Sequence, residues 1–429
     1  MFADPITYRV DGEVGRFEFT THWIEEEETC VYNTSQDVFP GRTGKEWYKT
    51  SGFKELAMIY GSTAESYRKT SGYINRIRHQ QTEGTPSRSL REQTTVEGEK
   101  LMQAIARKTQ QILRAHQFTD DGRFTGSSDT YQGAFFESFS QARVARAIAV
   151  CQEQSPVNTP LSENPIPYEA PASSVDICID DVGTKRQKAQ RAAQEGQMDM
   201  DTEMGKTKTR KYVHTTVIHL GHSQHSYILT GHGLKHALNI LLAFLLNSWL
   251  LQYRLQFFTD GYTILQKAIR RVFSWYPNLV IILDWYHLKE KCKLQLSLAM
   301  TGRTIRNDVL KQQLPLLWYG LVDHAIDYIK TLEQSDIKNP EAIEGLVGYF
   351  ERNRAHIPCY AVRKELGLRN SSQLGEKMND LVVADRQKHN GMSWSVSGSV
   401  ALASLTALGR NNEHARWFEE GDLEFKLAA

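Results

Sequence analysis

Apolar residues recur along this chain with two periods, and the change from one to the other divides it. In residues 5–34, as in TYRVDGEVGRFEFTTHWI, β-branched and aromatic side chains flank turn residues in the manner of short strands. Asp11-Gly12 supplies a turn signal, and the acidic run from Glu25 to Glu28 suits a solvated edge. From about residue 45 the period lengthens. In FKELAMIYGS, Phe53, Leu56, Ala57 and Tyr60 share one helical face, which Gly61-Ser62 ends. Thr63 is placed to cap a second short helix through Arg68, and Thr70-Ser71-Gly72 to make a turn. YINRIRHQ then carries Arg76, Arg78, His79 and Gln80 on its polar side. This is the layout of a helix-turn-helix whose last helix enters a major groove, and also that of a small helical bundle with a basic face. A longer amphipathic helix is expected over residues 95–116.

Residues 152–174 hold five of the twelve prolines, a density that breaks helices and reads as a linker. Beyond it the periods alternate. Strands are expected at 175–180, in YVHTTVIHLG and in HSYILTG, the last two joined by a Gly-His-Ser-Gln turn. An apolar helix around 238–249, a strand at 255–259, a helix at 263–275 and a strand at 279–283 follow, with another helix starting near His287. Three antiparallel strands, a helix, then two strands separated by helices is the order of the RNase H fold. Residues 302–367 show only helical spacing and read as a helical insertion. The fold class expected is α/β, an RNase H-like mixed sheet with a helical insertion, preceded by a mainly helical region. The boundaries expected are a strand-rich segment at 1–44, the helix-turn-helix-like region at 45–151, the Pro-rich linker at 152–174 and the sheet domain at 175–429.

Composition narrows the function. The chain has 429 residues, 40% hydrophobic and 24% charged, which excludes a disordered or fibrous class. Its net charge of +1 provides no global attraction to nucleic acid, so a binding surface for it has to be local. Five scattered cysteines without a CxxC pair suggest neither a disulfide framework nor a cysteine zinc site, and fit a reducing compartment. The most apolar stretch, ALNILLAFLLNSWLL, contains Asn239, Asn247 and Ser248. It falls short of the roughly 20 residues of a membrane span, and the N-terminus lacks the apolar core of a signal peptide.

Three apolar runs end on acids: VDICIDD, LQFFTDGY and NLVIILDWYHL. Carboxylates at neighbouring strand ends repel one another, and a divalent cation relieves the repulsion. Mg²⁺ takes hard oxygen ligands, and two such ions about 3.5–4 Å apart act on both the attacking and leaving oxygens of a phosphodiester. Asp180 and Asp260 stand where such a fold brings acids together. The bland alternative for Asp260 is a turn former or helix cap; for Asp180 the neighbouring Asp181 makes capping a weaker explanation and leaves the choice of first acid open.

The combination of VDICIDD, FFTDGY, LDWYHL and RNSSQLGEKMNDLVVADRQKHNGMSWS resembles the catalytic domain of prokaryotic DDE-type insertion-sequence transposases, a group allied to Mutator-like elements. The resemblance covers roughly residues 175–419. It implies that Asp180, Asp260 and Glu376 form the metal-binding and catalytic triad, with Mg²⁺ as cofactor and Mn²⁺ as its substitute. Asp284 and His287 match an acid-x-x-His motif, and Trp394 matches the tryptophan of Gly-x-x-Trp-Ser. The turn before Glu376 departs from the family's Gly-Ser-Gly, which makes Asp380 the fallback. Ser371 or Ser372 is placed to cap the helix of Glu376.

The resemblance further implies double-stranded DNA as partner, both element ends and target, assembly as a homo-oligomer on DNA, no membrane association, and a place in the prokaryotic cytoplasm at the nucleoid. DNA contacts are expected from Arg76 and Arg78, from Lys185 and Arg186 in the basic run after the first acid, and from His287, Lys377, Arg386, Lys388 and Trp394; a structural histidine is the other reading of His287, and core packing that of Trp394. Lys206, Lys208, Arg210 and Lys211 form a second basic run, with acids between the two, so a plain solvated hairpin is the other reading of that excursion. His214, His219, His222, His225, His232 and His236 crowd one stretch; surface strand and turn positions explain them more simply than zinc. Two rival functions stay open: an RNase H-like nuclease or resolvase without strand transfer, and a non-catalytic DNA-binding remnant of a transposase.

Overall fold

The computed structural model describes residues 6–21, 24–26, 30–32, 47–80, 84–127, 139–161, 168, 171–188 and 211–427. It is a mixed α/β protein with several sheets and many helices. Residue contacts divide it into two compact units. The first comprises Met1–Arg107, Val182–Thr215 and Asp380–Glu424, the second Lys108–Asp181, Thr216–Asn379 and Phe425–Ala429. This differs from the linear division expected. The Pro-rich stretch does not divide the chain: Leu161, inside it, is buried in the same cluster as Ala147 and Cys151 on the helix Gln141–Glu153.

In the first unit, β1 (Ile6–Gly12) and β2 (Gly15–Thr21) form an antiparallel hairpin. A short pair, β3 (Ile24–Glu26) and β4 (Cys30–Tyr32), follows, and β5 (Trp47–Lys49) runs parallel to β1. The turn falls at Glu13 and Val14, not at Asp11-Gly12, because Asp11 is a fully buried strand residue that receives Arg78. Two helices come next, Ser51–Thr63 and Tyr67–Ile77. The second is capped by Ser66 rather than Thr63, and it runs straight through Thr70-Ser71-Gly72. The Thr70 hydroxyl explains why no turn forms there: it is buried and donates to the Ser66 carbonyl one helical turn back, at 3.1 Å. Phe53, Ala57, Ile74 and Leu90 make the core between these helices and the helix Ser87–Ala115, which begins earlier than its periodicity suggested.

The largest sheet has five strands: β6 (Ser174–Lys185), β7 (Tyr212–His222), β8 (His225–Gly231), β9 (Arg254–Thr259) and β10 (Leu279–Leu283), in the order β10-β9-β6-β7-β8. β7 and β8 pair antiparallel, while β9 runs parallel to both β6 and β10. The helix Leu234–Asn247 follows β8 and is buried without interruption from Ala237 to Leu246, which accounts for its all-round apolar sequence. Among the described residues no helix is long and apolar enough to cross a membrane. The region 302–367 is helical, built from Arg303–Trp318, Val322–Lys330, Pro340–Asn353, Tyr360–Glu365 and short 3-10 turns. Its core is Leu317, Ala325, Leu346, Phe350 and Tyr360, packed on Leu288 and Leu296 of the helix Trp285–Ala299.

β7 buries a histidine. Burial pushes the imidazole of His219 from its ordinary 6.5 down to about 4, and the Arg369 charge pushes it the same way. Neutral His219 is therefore compatible with the fold, while the unfolded chain takes up a proton below its own pKa. Stability carried by His219 is complete above pH 6.5 and is lost as pH falls toward 4, by about 3 kcal/mol if the whole shift is realised. We expect His219→Leu to flatten the fall in unfolding free energy between pH 7 and pH 4.5, measured by denaturant titration. An equal fall in both proteins would contradict this.

Candidate active site

β6 does not end on its acids but continues past them to Lys185. What ends is its partnership with β9, whose last pair is Cys178 with Phe258. Asp180 and Asp260 each lie two positions beyond that pair, and side chains on a strand repeat with period two. The two acids therefore extend the rows begun by Cys178 and Phe258, which pack with Ile282 beneath the strand ends.

Asp260 is held by the turn it makes. Its Oδ1 accepts the Tyr262 N–H at 2.8 Å, and its carbonyl accepts the Tyr349 hydroxyl at 3.0 Å. Among the described residues its Oδ2 has no hydrogen-bond partner. Gly261 has φ of +84°, and a β-carbon there would lie 2.7 Å from the Tyr349 hydroxyl. Glycine is thus required by the left-handed backbone and by Tyr349 filling the space beside it.

Asp284 follows β10 and is fully buried. Its N–H donates to the Thr259 carbonyl at 2.8 Å, tying it to the end of β9. Its Oδ1 caps the helix Trp285–Ala299 by accepting the His287 N–H at 2.9 Å, and its Oδ2 accepts the Ser372 N–H. One side chain thereby locks the start of the His287 helix to the loop before Glu376.

Glu376 lies on the short helix Gln373–Asn379, and its N–H donates to the Ser372 carbonyl at 3.0 Å. This helix sits directly on β6: a β-carbon on Gly375 would come within 2.6 Å of the Cys178 β-carbon. Real β-carbons do not approach so closely, so Gly375→Ala has to push the helix off the strand. We expect a loss of about 1–3 kcal/mol, as for an overpacked core, read as a lowered Tm, with recovery in the double variant Gly375→Ala/Cys178→Gly. An unchanged Tm would contradict the packing.

These elements deliver Asp180, Asp181, Asp260, His287, Glu376 and Asn379 to the wall of one cavity of about 310 Å³. Asn379 Nδ2 donates to Asp180 Oδ2 at 2.7 Å, and the Asp181 N–H to Asp180 Oδ1 at 2.8 Å. Desolvation raises the Asp180 pKa most, and the negative charge of Asp260 raises it further, against the Asp181 N–H and the His287 charge. Asp181 is occupied differently, its Oδ1 accepting the Thr216 hydroxyl of β7 at 2.5 Å. Asp180 is thus coupled electrostatically to Asp260, while Asp181 is tied to β7. His287 Nε2 lies 3.1 Å from Glu376 Oε1.

Among the described residues no three His, Cys, Asp or Glu side chains stand together as a metal-holding group. The donor chemistry of the Asp180–Asp260 pair nevertheless fits a hard divalent cation, since both offer carboxylate oxygens, and burial first and the Asp260 charge after it raise the Asp180 pKa. Glu376, the third expected ligand, is engaged by His287. The histidines of β7 and β8 form no such group; His222 Nδ1 is 2.9 Å from the Ser174 carbonyl oxygen.

The remaining predicted residues are not gathered at this cavity. Lys377, beside Glu376, is exposed. Arg76, Arg78, Lys185, Arg186, Arg386, Lys388 and Trp394 belong to the first unit. Arg76, Lys185 and Lys388 are exposed there, and Arg186 is half-buried. Three expectations of DNA contact need correction, because the side chains are buried. Arg78 is spent on Asp11. Arg386 donates to the Gly61 carbonyl at 2.9 Å and the Glu65 carbonyl at 3.2 Å, and Trp394 donates its indole N–H to the Gln387 carbonyl at 3.1 Å. Asp380 is exposed at the start of the π-helical turn Asp380–Ala384. The second basic run before Lys211 lies outside the described residues, as does the acidic stretch between the two runs.

Asn379 and Thr216 escaped the sequence reading. Asn379 had a usable signal, standing three residues after Glu376 and so on the same helical face. Thr216 had none, since its role depends on strand register. No protein-family model matches the chain, and no curated protein sequence matches it.

Proposed function

We propose that the chain is an Mg²⁺-dependent DNA transposase of an insertion sequence, cutting the element's ends and joining the freed 3′-OH to target DNA. The observation that carries this reading is the convergence of Asp180, Asp260 and Glu376 on one cavity. It is supported by the strand order β10-β9-β6-β7-β8, with parallel β6, β9 and β10 beside an antiparallel β7–β8 pair, which agrees with an RNase H-like sheet. Residues 302–367 then form its helical insertion.

Asp180 and Asp260, with Glu376, would hold the divalent cation, which when bound polarises a phosphoryl oxygen and acidifies water. The chain's own residues do the positioning. Asn379 orients Asp180, and the Tyr262 N–H and Tyr349 orient Asp260 from its two ends. Asp284 fixes His287 and the Glu376 loop in register. His287 Nε2 stands 3.1 Å from Glu376 Oε1, placed to serve as a proton donor to an oxygen that gains charge as a phosphodiester breaks.

Strand transfer separates this reading from a nuclease. A labelled oligonucleotide with the element's terminal sequence and a free 3′-OH, incubated with the protein, Mg²⁺ and supercoiled plasmid, is expected to yield label joined to plasmid. Nicking without joining would replace transposase by nuclease, and neither product would leave a DNA-binding remnant.

A further inference from the structure

A second cavity in the same unit carries the opposite charge. It measures about 840 Å³, and Arg123, Lys235, Lys267, Arg271, Phe124 and Trp275 line it. Asp121 is the only acid among its described lining residues. Lys267 and Arg271 are four residues apart on the helix Thr263–Val272 and so share a face. Like charges at that spacing repel, and among the described residues none of the four cations has an ion-pair partner. Their field reaches the wall: Asp121 is held below the usual carboxylate range first by the Thr119 hydroxyl and then by Lys235 and Arg271.

The apolar side of this cavity is aromatic. Phe124 and Trp275 are half-buried with ring centroids 5.2 Å apart, and Phe118 backs Trp275 at 5.0 Å. The Trp275 indole N–H donates to the Val272 carbonyl at 2.9 Å, and the ring lines the cavity. Unpaired cations around an aromatic surface match a strand that alternates phosphates with unstacked bases, because every base has a face to stack and every phosphate a charge to neutralise. A duplex would satisfy the cations but not the rings. Leu234 lines both this cavity and the carboxylate cavity, making them neighbours along one wall.

We infer that this groove binds an unpaired DNA strand, with phosphates at Arg123, Lys235, Lys267 and Arg271 and bases against Phe124 and Trp275, and that the strand continues past Leu234 to the carboxylates. This deepens the reading of the carboxylate cavity as a DNA-cutting site and rests on it. The test is fluorescence anisotropy of a labelled dT oligonucleotide and of a labelled duplex in EDTA, across a salt series. Wild type, Lys267→Glu/Arg271→Glu and Asp260→Asn are compared, with metal-dependent cleavage followed in parallel.

Asp260→Asn, which removes a negative charge from the path of the strand, is expected to bind the dT strand at least as tightly as wild type. The double variant, whose side chains are exposed and whose fold is checked by its Tm, is expected to bind at least about tenfold more weakly, with the salt slope reduced by about 1.4 for two lost phosphate contacts. Wild-type affinity and slope in the double variant would overturn the groove, even if cleavage by wild type still upholds the carboxylate site. A charge-reversal effect confined to the duplex would overturn the unpaired strand. Weakened dT binding in a protein that never cuts DNA would uphold the groove and reject the carboxylate reading instead.

Discussion

Replacing Asp180 by Asn is expected to abolish metal-dependent DNA cleavage while raising, not lowering, the Tm in metal-free buffer at pH 7. The two effects have one cause. Desolvation and the Asp260 charge both raise the Asp180 pKa, so its ionisation opposes folding. A carboxyl with a raised folded-state pKa is best tolerated at low pH, and its penalty grows as pH rises through that pKa. Asparagine removes the charge and can still accept the Asn379 amide. It also removes a hard anionic donor, and losing several kcal/mol of charge stabilisation corresponds to a fall of at least about a thousandfold in rate. Cleavage assays and melting curves on the same preparation check both halves. A variant that cuts normally would remove Asp180 from the site, and one that melts well below wild type would make its role structural.

The largest expected loss of stability lies in the first unit, at Arg78. Its guanidinium and the Asp11 carboxylate are both fully buried, with Arg78 Nη2 2.5 Å from Asp11 Oδ1. Arg78 Nη1 also donates to the Thr85 hydroxyl at 2.9 Å, and that hydroxyl donates to Asp11 Oδ2 at 2.9 Å. Arg16 approaches the same carboxylate at 3.3 Å. Arg78→Ala strands a buried anion, for which about 3–5 kcal/mol is expected. Arg76→Ala, at an exposed position on the same helix, is expected to change stability by no more than about 0.5 kcal/mol. Urea denaturation of both variants measures the contrast. Replacing both partners, as Asp11→Asn/Arg78→Met, should recover part of the loss because neither charge is then left alone. A loss below about 1 kcal/mol for Arg78→Ala would mean that Arg16 and Thr85 suffice to satisfy Asp11.

Much of the sheet was legible because its strands are short apolar runs closed by glycine or acid, and β9 and β10 fall within a residue of where the pattern put them. Asp180 and Asp260 were readable as acids placed after such runs, Glu376 only through the family resemblance, and the structure brings all three to one cavity. Three things were not legible, each for a physical reason. The length of β6 depends on β7 continuing beside it after β9 has ended, which local sequence does not encode. The turn expected at Thr70-Ser71-Gly72 failed because Thr and Ser satisfy the helix backbone as readily as they break it, and burial of Thr70 decided the outcome. Arg78 was placed on a polar helix face by its spacing and Arg386 near phosphates by its closeness to Glu376, whereas each is held inside by a partner distant in sequence, Asp11 and Gly61; burial of Trp394 agrees with the core reading weighed for it beside base stacking.

The two-unit division carries the same lesson. Segments 182–215 and 380–424 follow the N-terminal region in their contacts although the resemblance and the linker both assigned them elsewhere. A boundary drawn from proline content marks where helices stop, not where contacts do.

We propose that Asp180, Asp260 and Glu376 form a metal-dependent DNA-cutting site. Its most direct measurement is cleavage of labelled DNA carrying the presumed element ends, in Mg²⁺ and in Mn²⁺, by wild type and by Asp260→Asn. Cutting that needs the divalent ion and disappears in Asp260→Asn is the predicted result. Equal cutting by the two proteins, or cutting that persists in EDTA, would contradict it.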